Sequence, residues 1–286
     1  MTAAPRTIAE ALRVGEQQLA GTSATARFDS ELILGSVVAM TRSELLRDGA
    51  RILTLAQQHQ WRAQIAERVG GRPIAQILGE WEFYSLPLFV DEHVLVPRPE
   101  TELLVDWAKE IDCEQPIANV LDVGTGSGCI AIALATELPA ARVVAIDICP
   151  DALAIARRNV QRHALVSRVH LVAGDLMQPL AATTRFDLIV SNPPYIEPGD
   201  PALEENVRRF EPDIALHDRL DGDGLGYYRC VAAAAGHFVP PGGSVLLEVG
   251  ETQASAVMAL FDATQWRTEV RKDLAGIARA VRARRR

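Results

Sequence analysis

The stretch Asn119-Val120-Leu121-Asp122-Val123-Gly124-Thr125-Gly126-Ser127-Gly128-Cys129 decides the fold. A short strand pattern, 119–123, runs into a turn with glycine at every second position, and a helical pattern, 129–138, follows. Glycine there leaves no Cβ between backbone and ligand and permits positive φ. The helix that follows points its free N–H groups at whatever the turn holds. Outward from this unit the same alternation repeats. Strands are expected at 142–147, 169–173, 187–191 and 244–249, and helices at 151–163, 225–238 and 252–261. Such alternation predicts an α/β fold with a mostly parallel sheet covered on both faces. Ligands of these sheets sit outside the carboxyl ends of the strands.

Upstream the pattern differs. Residues 1–80 read as a small helical domain, with Thr7 and Thr54 placed to cap helices and Gly70-Gly71 to end one. Residues 81–97 read as a β-hairpin linker, two short strands joined at Asp91-Glu92. Pro99 then opens a helix through Ile111, so residues 98–286 form the α/β domain.

The bulk numbers narrow the function classes. The 286 residues are 48% hydrophobic and 23% charged, ordinary for a globular protein. No apolar run reaches the roughly 18 residues of a membrane helix, and the first residues lack the apolar core of a signal peptide. A cytoplasmic protein with no membrane partner is expected. The four cysteines form no CxxC pair and there is no HExxH, so no metal is expected. Residues 1–90 carry nine basic and nine acidic residues, so the whole net charge of −8 lies beyond them. An acidic catalytic region is a poor match for a phosphate backbone, and no direct nucleic-acid contact is expected. The tail Arg282–Arg286 reads as a solvated, frayed terminus.

Candidate ligand contacts follow the strand ends. Gly124, Thr125, Gly126, Ser127 and Gly128 form the turn, and Gly126-x-Gly128-x-x-Ala131 also fits a dinucleotide fingerprint. Asp147 ends the next strand and suits ribose hydroxyls of either kind of cofactor. Asp122 in the opening of the turn, with Gly174-Asp175 after the third strand, resembles the class I methyltransferase pattern and implies S-adenosylmethionine. Asp175 suits an adenine amino group, and Leu176 can pack on the base.

The fourth strand runs into Asn192-Pro193-Pro194-Tyr195. Two prolines lock φ and supply no N–H. The Asn192 side-chain oxygen and the Pro193 carbonyl can hold both hydrogens of a planar NH₂ group, and Tyr195 can stack on it. An amide nitrogen is a poor nucleophile because its lone pair is delocalised. Two acceptors on its hydrogens raise its electron density and bind the growing positive charge more tightly as it attacks, which is transition-state stabilisation.

This tetrapeptide on such a turn resembles both amino-methylating DNA enzymes and glutamine methyltransferases. Further stretches choose between them: Arg72-Pro73-Ile74-Ala75-Gln76-Ile77-Leu78-Gly79, Phe83-Tyr84, Pro97-Arg98-Pro99-Glu100-Thr101-Glu102, Val207-Arg208-Arg209-Phe210-Glu211-Pro212 and Asp223-Gly224-Leu225. From about residue 25 to 280 the chain is similar to the HemK/PrmC family, the protein-(glutamine-N5) methyltransferases of peptide chain release factors. The resemblance implies a class I methyltransferase, Rossmann-like fold. It also implies a release factor as protein partner, the glutamine of its Gly-Gly-Gln motif as acceptor, and an amino-terminal domain that helps bind it. The alternatives are a ribosomal-protein glutamine methyltransferase and a DNA adenine-N6 methyltransferase; the latter needs a target-recognition region and a basic face. Two departures stand out. Leu176 replaces an aromatic, and residues 216–221 replace a short glycine-rich link and read as a surface insertion.

Overall fold

The computed structural model describes residues 5–286, which form two compact units. One extends up to Glu80 and takes in Glu205–Phe210; the other comprises Trp81–Glu204 and Glu211–Arg286. Among the described residues no helix is long and apolar enough to cross a membrane.

The first unit holds α1 (Ile8–Leu19), α2 (Ala26–Val38), α3 (Arg42–Arg47), α4 (Leu55–Val69), α5 (Ile74–Leu78) and the later helix Glu205–Phe210, α9 in chain order. Three of these helices begin alike. Thr7, Thr41 and Thr54 each accept the backbone N–H three residues on, and Glu10, Glu44 and Gln57 reach back to the threonine N–H. Each box satisfies two donors that a helix start leaves free. The apolar faces meet in one core, in which Ile8, Leu34, Trp61 and Ile65 are almost fully buried. Gly15 lets α1 and α2 approach: a Cβ there would lie 2.4 Å from Ser30 Oγ.

The second unit opens with a two-stranded hairpin, β1 (Glu80–Phe83) and β2 (Leu86–Phe89). Its turn is Tyr84-Ser85, both with positive φ (52° and 58°), the backbone twist that suits a two-residue hairpin. No glycine eases it. Tyr84 is instead held by its N–H on Glu102 Oε1 (2.7 Å), its hydroxyl on Asp106 (2.8 Å) and Lys109 Nζ donating to that hydroxyl (2.9 Å). The expected joint at Asp91-Glu92 is therefore corrected. Val94 and Val96 are buried but form no strand; their apolarity serves packing, not pairing.

A 3-10 turn, Pro99–Thr101, leads into α6 (Glu102–Glu114). Then follow β3 (Asn119–Val123), α7 (Cys129–Glu137), β4 (Arg142–Asp147), α8 (Pro150–Arg162), β5 (Val169–Ala173) and β6 (Leu188–Ser191). After α9 come α10 (Asp213–Leu216), α11 (Gly226–Phe238), β7 (Ser244–Glu248), α12 (Ala254–Ala259), β8 (Trp266–Lys272) and β9 (Ala278–Arg285). The seven-stranded sheet runs β5-β4-β3-β6-β7-β9-β8. Its first five strands are parallel, and β9 lies antiparallel between β7 and β8. This is the mostly parallel, Rossmann-like sheet expected. Strands β3, β6 and β7 are buried on both faces, one against Leu104, Ile132 and Leu134, the other against Tyr228, Val231 and Phe238. The order reverses between β4-β3 and β6, so the open end of the sheet lies where β3 and β6 part.

The carboxyl terminus departs from expectation. Arg282–Arg286 is not a frayed tail: β9 pairs with β7 through Arg284 and with β8 through Arg285. Val281 and Ala283 fill one face, while Arg282 is buried on the other, its Nε donating to Ser244 Oγ at 3.2 Å. Arg285 donates to the Gly236 and Val239 carbonyls at the end of α11. The guanidinium groups thus satisfy carbonyls and hydroxyls that the sheet edge would otherwise bury. Residues 216–221 are only in part a surface segment, with Arg219, Leu220 and Asp221 exposed. Leu216 and Asp218 are buried, and the Asp218 carboxylate accepts the N–H groups of Leu220 (3.0 Å) and Gly226 (3.0 Å), tying the segment to the start of α11.

Candidate active site

At the carboxyl ends of β3, β4, β5 and β6 the α/β unit encloses a cavity of about 320 Å³. The sequence dictates its floor. After β3 the N–H groups of Gly124 and Thr125 both reach Ile146 O (2.9 Å each), and Gly124, Gly126 and Gly128 all take positive φ. The loop folds back over β4 through backbone conformations of positive φ that glycine adopts freely and other residues rarely do. At Gly128 a Cβ would lie 3.2 Å from Ile132 and 3.4 Å from Ala156, so that glycine also lets α7 approach α8.

Asp147 ends β4 and ties the floor together. Its Oδ2 accepts Gly126 N–H (2.8 Å) and its Oδ1 accepts Cys149 N–H (2.9 Å). Burial pushes its pKa up, opposed by the N–H groups of Cys149, Gly126 and Ile148. A carboxylate has about four acceptor positions, so these bonds leave capacity for a ligand. Beneath the loop, Asp122 is fully buried and its Oδ2 accepts the Thr125 hydroxyl (2.6 Å). Desolvation, partly offset by that hydroxyl, pushes its pKa up to about 7. Asp122 Oδ1 and Ser127 Oγ are buried without a hydrogen-bond partner, a state that costs free energy unless a ligand or water supplies one. Asp175 and Leu176 follow β5 in the wall, Leu176 at φ 49°. Asp175 accepts Gln178 Nε2 at 3.0 Å.

On the opposite wall Ser191 Oγ donates to Val123 O (2.7 Å), locking β6 to β3 just where Asn192-Pro193-Pro194 begins. Asn192 Nδ2 donates to Thr101 Oγ1 at 3.2 Å. No hydrogen bond within the described residues engages Asn192 Oδ1. Thr101 in turn donates to Glu248 Oε2 at 2.5 Å, and both are buried. Burial pushes the Glu248 pKa up to about 7, held down by the Thr101 hydroxyl.

The structure thus gathers ten candidate residues around one cavity: Gly124, Thr125, Gly126, Ser127, Asp147, Asp175, Leu176, Asn192, Pro193 and Pro194. Gly128 and Tyr195 lie outside its wall. Gly128 caps α7. The Tyr195 carbonyl is held by Gln253 Nε2 (3.0 Å), and burial beside Glu248 pushes its phenol up to about 12. The cavity also includes residues to which sequence reading assigned no role: Arg98, Thr101, Ile148, Arg219 and Tyr227. Arg98 and Thr101 belong to a stretch already singled out as a motif, which was their available signal. Arg98 is anchored by Glu211 (2.5 Å), whose other oxygen accepts Val96 N–H. Glu248 carried no signal at all.

Comparison with known proteins bears on both units. Residues 10–79 match the family model described as the PrmC N-terminal domain, and residues 100–209 match the methyltransferase small domain. A release factor glutamine methyltransferase of Chlorobaculum tepidum is 42% identical over 86% of this chain and 86% of its own length. That of Burkholderia pseudomallei is 41% identical over 96% and 95%, and that of Escherichia coli 40% over 84% of each. Among solved structures, a T. thermophilus 16S rRNA N2 G1207 methyltransferase in complex with AdoMet and guanosine superposes with a TM-score of 0.51 at 19% identity. It covers 72% of this chain and 50% of its own. A methyltransferase from Pyrococcus furiosus gives 0.51 at 17%, over 78% and 96%. At these identities the structures speak for the fold alone.

Proposed function

Because the chain belongs to the release factor glutamine methyltransferase family, we propose that it methylates the side-chain N5 of the glutamine in the Gly-Gly-Gln motif of peptide chain release factors. It is an enzyme, and S-adenosylmethionine is its methyl donor. The cavity suits that donor. Asp147 has spare acceptor capacity for ribose hydroxyls, and Ser127 Oγ in the cavity wall is a buried atom wanting a polar partner. In this reading Gly124, Thr125, Gly126, Ser127 and Gly128 shape the floor under the donor, while Asp175 and Leu176 take the adenine. When bound, the donor supplies an electrophilic methyl on a sulfonium.

One observation carries the acceptor side of the proposal: the Asn192 amide nitrogen is already bonded to Thr101, which leaves its oxygen open at the cavity wall beside Pro193. Asn192 Oδ1 and the Pro193 carbonyl hold the two hydrogens of the substrate amide and aim its lone pair inward. Pro194 stiffens the turn, and Tyr195, which lies outside the wall against the core, would have to turn its ring toward the cavity to stack on the amide plane. As the nitrogen attacks, positive charge grows on its hydrogens, and the two fixed acceptors bind it more tightly. Either acceptor, or solvent after release, can take the proton.

Residues 1–80 are proposed to recognise the protein partner, residues 81–97 to link, and residues 98–286 to carry the chemistry. Action in the cytoplasm, where release factors meet ribosomes, follows from that substrate. Labelled methyl donor offered with a release factor, a ribosomal protein and DNA tests the reading. Label on the Gly-Gly-Gln glutamine of the release factor supports it. Label confined to the ribosomal protein or to DNA rejects it.

A further inference from the structure

Asn192 can hold a substrate amide only if its own amide faces the right way round. A flipped asparagine would present NH₂ to NH₂, a repulsive contact that leaves the lone pair unaimed. Two buried groups bear on that choice. Glu248 at the end of β7 is 4% exposed, and Thr101 at the end of the 3-10 turn is 2% exposed. Thr101 Oγ1 lies 2.5 Å from Glu248 Oε2 and 3.2 Å from Asn192 Nδ2.

A hydroxyl has one proton and two lone pairs. An ionised carboxylate only accepts, and 2.5 Å is the length of a charge-assisted O–H···O⁻ bond. When Glu248 is ionised the Thr101 proton is spent on it, and only lone pairs remain toward Asn192. A lone pair demands a donor, so the NH₂ end must face Thr101 and Oδ1 must face the cavity. We propose that Glu248, acting through the Thr101 hydroxyl, is the positioning residue that sets the amide orientation of Asn192 for methyl transfer. This rests on the acceptor role proposed above for Asn192.

The surroundings make the device sensitive to protonation. Glu248 is faced by Arg98 and Glu100 at the 3-10 turn, Arg279 on β9, Tyr195 after β6, Tyr228 on α11 and Cys129 on α7. Arg279 is engaged by Asp273 (3.2 Å), and the Tyr228 hydroxyl donates to the Glu248 backbone carbonyl (2.9 Å). Neither arginine is among the carboxylate's hydrogen-bond partners, so burial dominates and its pKa sits near 7. Below that pH the neutral acid no longer compels Thr101 to donate to it, and the flipped Asn192 becomes accessible. Turnover therefore falls on acidification with a one-proton limb.

The test measures turnover on a release factor and calorimetric affinity for S-adenosylhomocysteine across about pH 5.5 to 8.5. It uses the full chain as wild type, Thr101→Val, Thr101→Ser and Asn192→Ala. Thr101→Val should lose roughly ten- to a hundredfold in kcat, as removing a group that orients an active-site ligand does. Its affinity for the donor product should change little, and the acid limb should vanish. Thr101→Ser should restore most of the rate and the limb. A folded Thr101→Val with wild-type kcat, or with an unchanged acid limb, overturns the proposal. Should Thr101→Val not fold, Glu248→Gln decides by its pH profile: a lost limb supports the role and a retained one overturns it. A slow Asn192→Ala beside a fully active Thr101→Val removes only the positioning role. An Asn192→Ala as fast as wild type removes the reading on which that role rests.

Discussion

In the helical unit, three helices begin at a threonine whose capping box closes within three residues of chain. In the α/β unit the decisive contacts join Thr101 to Glu248, 147 residues apart, and Asn192 to Thr101, 91 apart. The first unit's helix starts are satisfied by near neighbours, although Arg68 on Asp29 and Gln76 on the Phe210 carbonyl bond across the unit. The second buries charged and amide groups and satisfies them across the fold. Local bonds define elements; distant ones define a site. The cavity, the buried carboxyl groups with raised pKa and the open asparagine oxygen all lie in the α/β unit.

That contrast can be attacked first at Asp122. Its folded pKa of about 7 exceeds the ordinary 3.8. Between those values the folded protein binds more protons than the unfolded chain, so this group's contribution to stability is lost as pH rises through that window and is flat above it. A gap of roughly three pH units corresponds to on the order of 4 kcal/mol. Asp122→Asn, which can still accept from Thr125, escapes that loss. Denaturant unfolding should show the variant gaining on wild type from about pH 4 to 7; a difference independent of pH would remove Asp122 as a strained, buried acid.

Next is Asn192. Asn192→Ala should slow methyl transfer by roughly 10²–10³, as loss of one preorganised hydrogen-bonding group does, with a smaller change in donor affinity. Asn192→Asp keeps an acceptor and should retain more activity than Ala. Full turnover by both variants would strip the β6 turn of its catalytic role. Asp147→Ala should weaken donor binding on the order of a hundredfold, since hydrogen bonds to a charged acceptor are worth about 1.5–3 kcal/mol each. Calorimetry showing near-native affinity would place the donor elsewhere.

The smallest effect belongs to the helical unit. Thr54→Ala opens one capping box and should cost about 1 kcal/mol of stability, leaving donor affinity unchanged. A loss of donor binding in that variant would erase the division of labour drawn above.

Much of this was legible before any coordinates. The strands at 119–123, 142–147 and 169–173 were read to the residue, and those at 187–191 and 244–249 to within one. β6 and β7 are buried throughout and β3 almost so, and short apolar runs that stop at glycine or proline turns read as the strands of such a sheet. Ten of the twelve candidate site residues face one cavity, because a strand that ends in a glycine or proline turn must deliver that turn to the sheet's open end.

What escaped reading has a common cause. Arg282–Arg286, with four arginines in five residues, reads as a charged tail; only the pairing of Ala278–Arg285 with β7 and β8 makes it part of a strand. The hairpin turn at Tyr84-Ser85 carries none of the glycine or asparagine that marks such turns. It stands because α6 supplies Glu102, Asp106 and Lys109 as partners.

The sequence by itself determined the layered α/β sheet, the glycine floor, the asparagine-proline wall and the helix starts. All of these rest on backbone geometry and burial within a few residues of chain. Tertiary structure alone decided which way the Asn192 amide faces, that Glu248 stands behind it, and that the terminal arginines close the sheet. Those outcomes depend on which donors and acceptors are left without water when distant segments meet, a quantity that no local stretch of residues encodes.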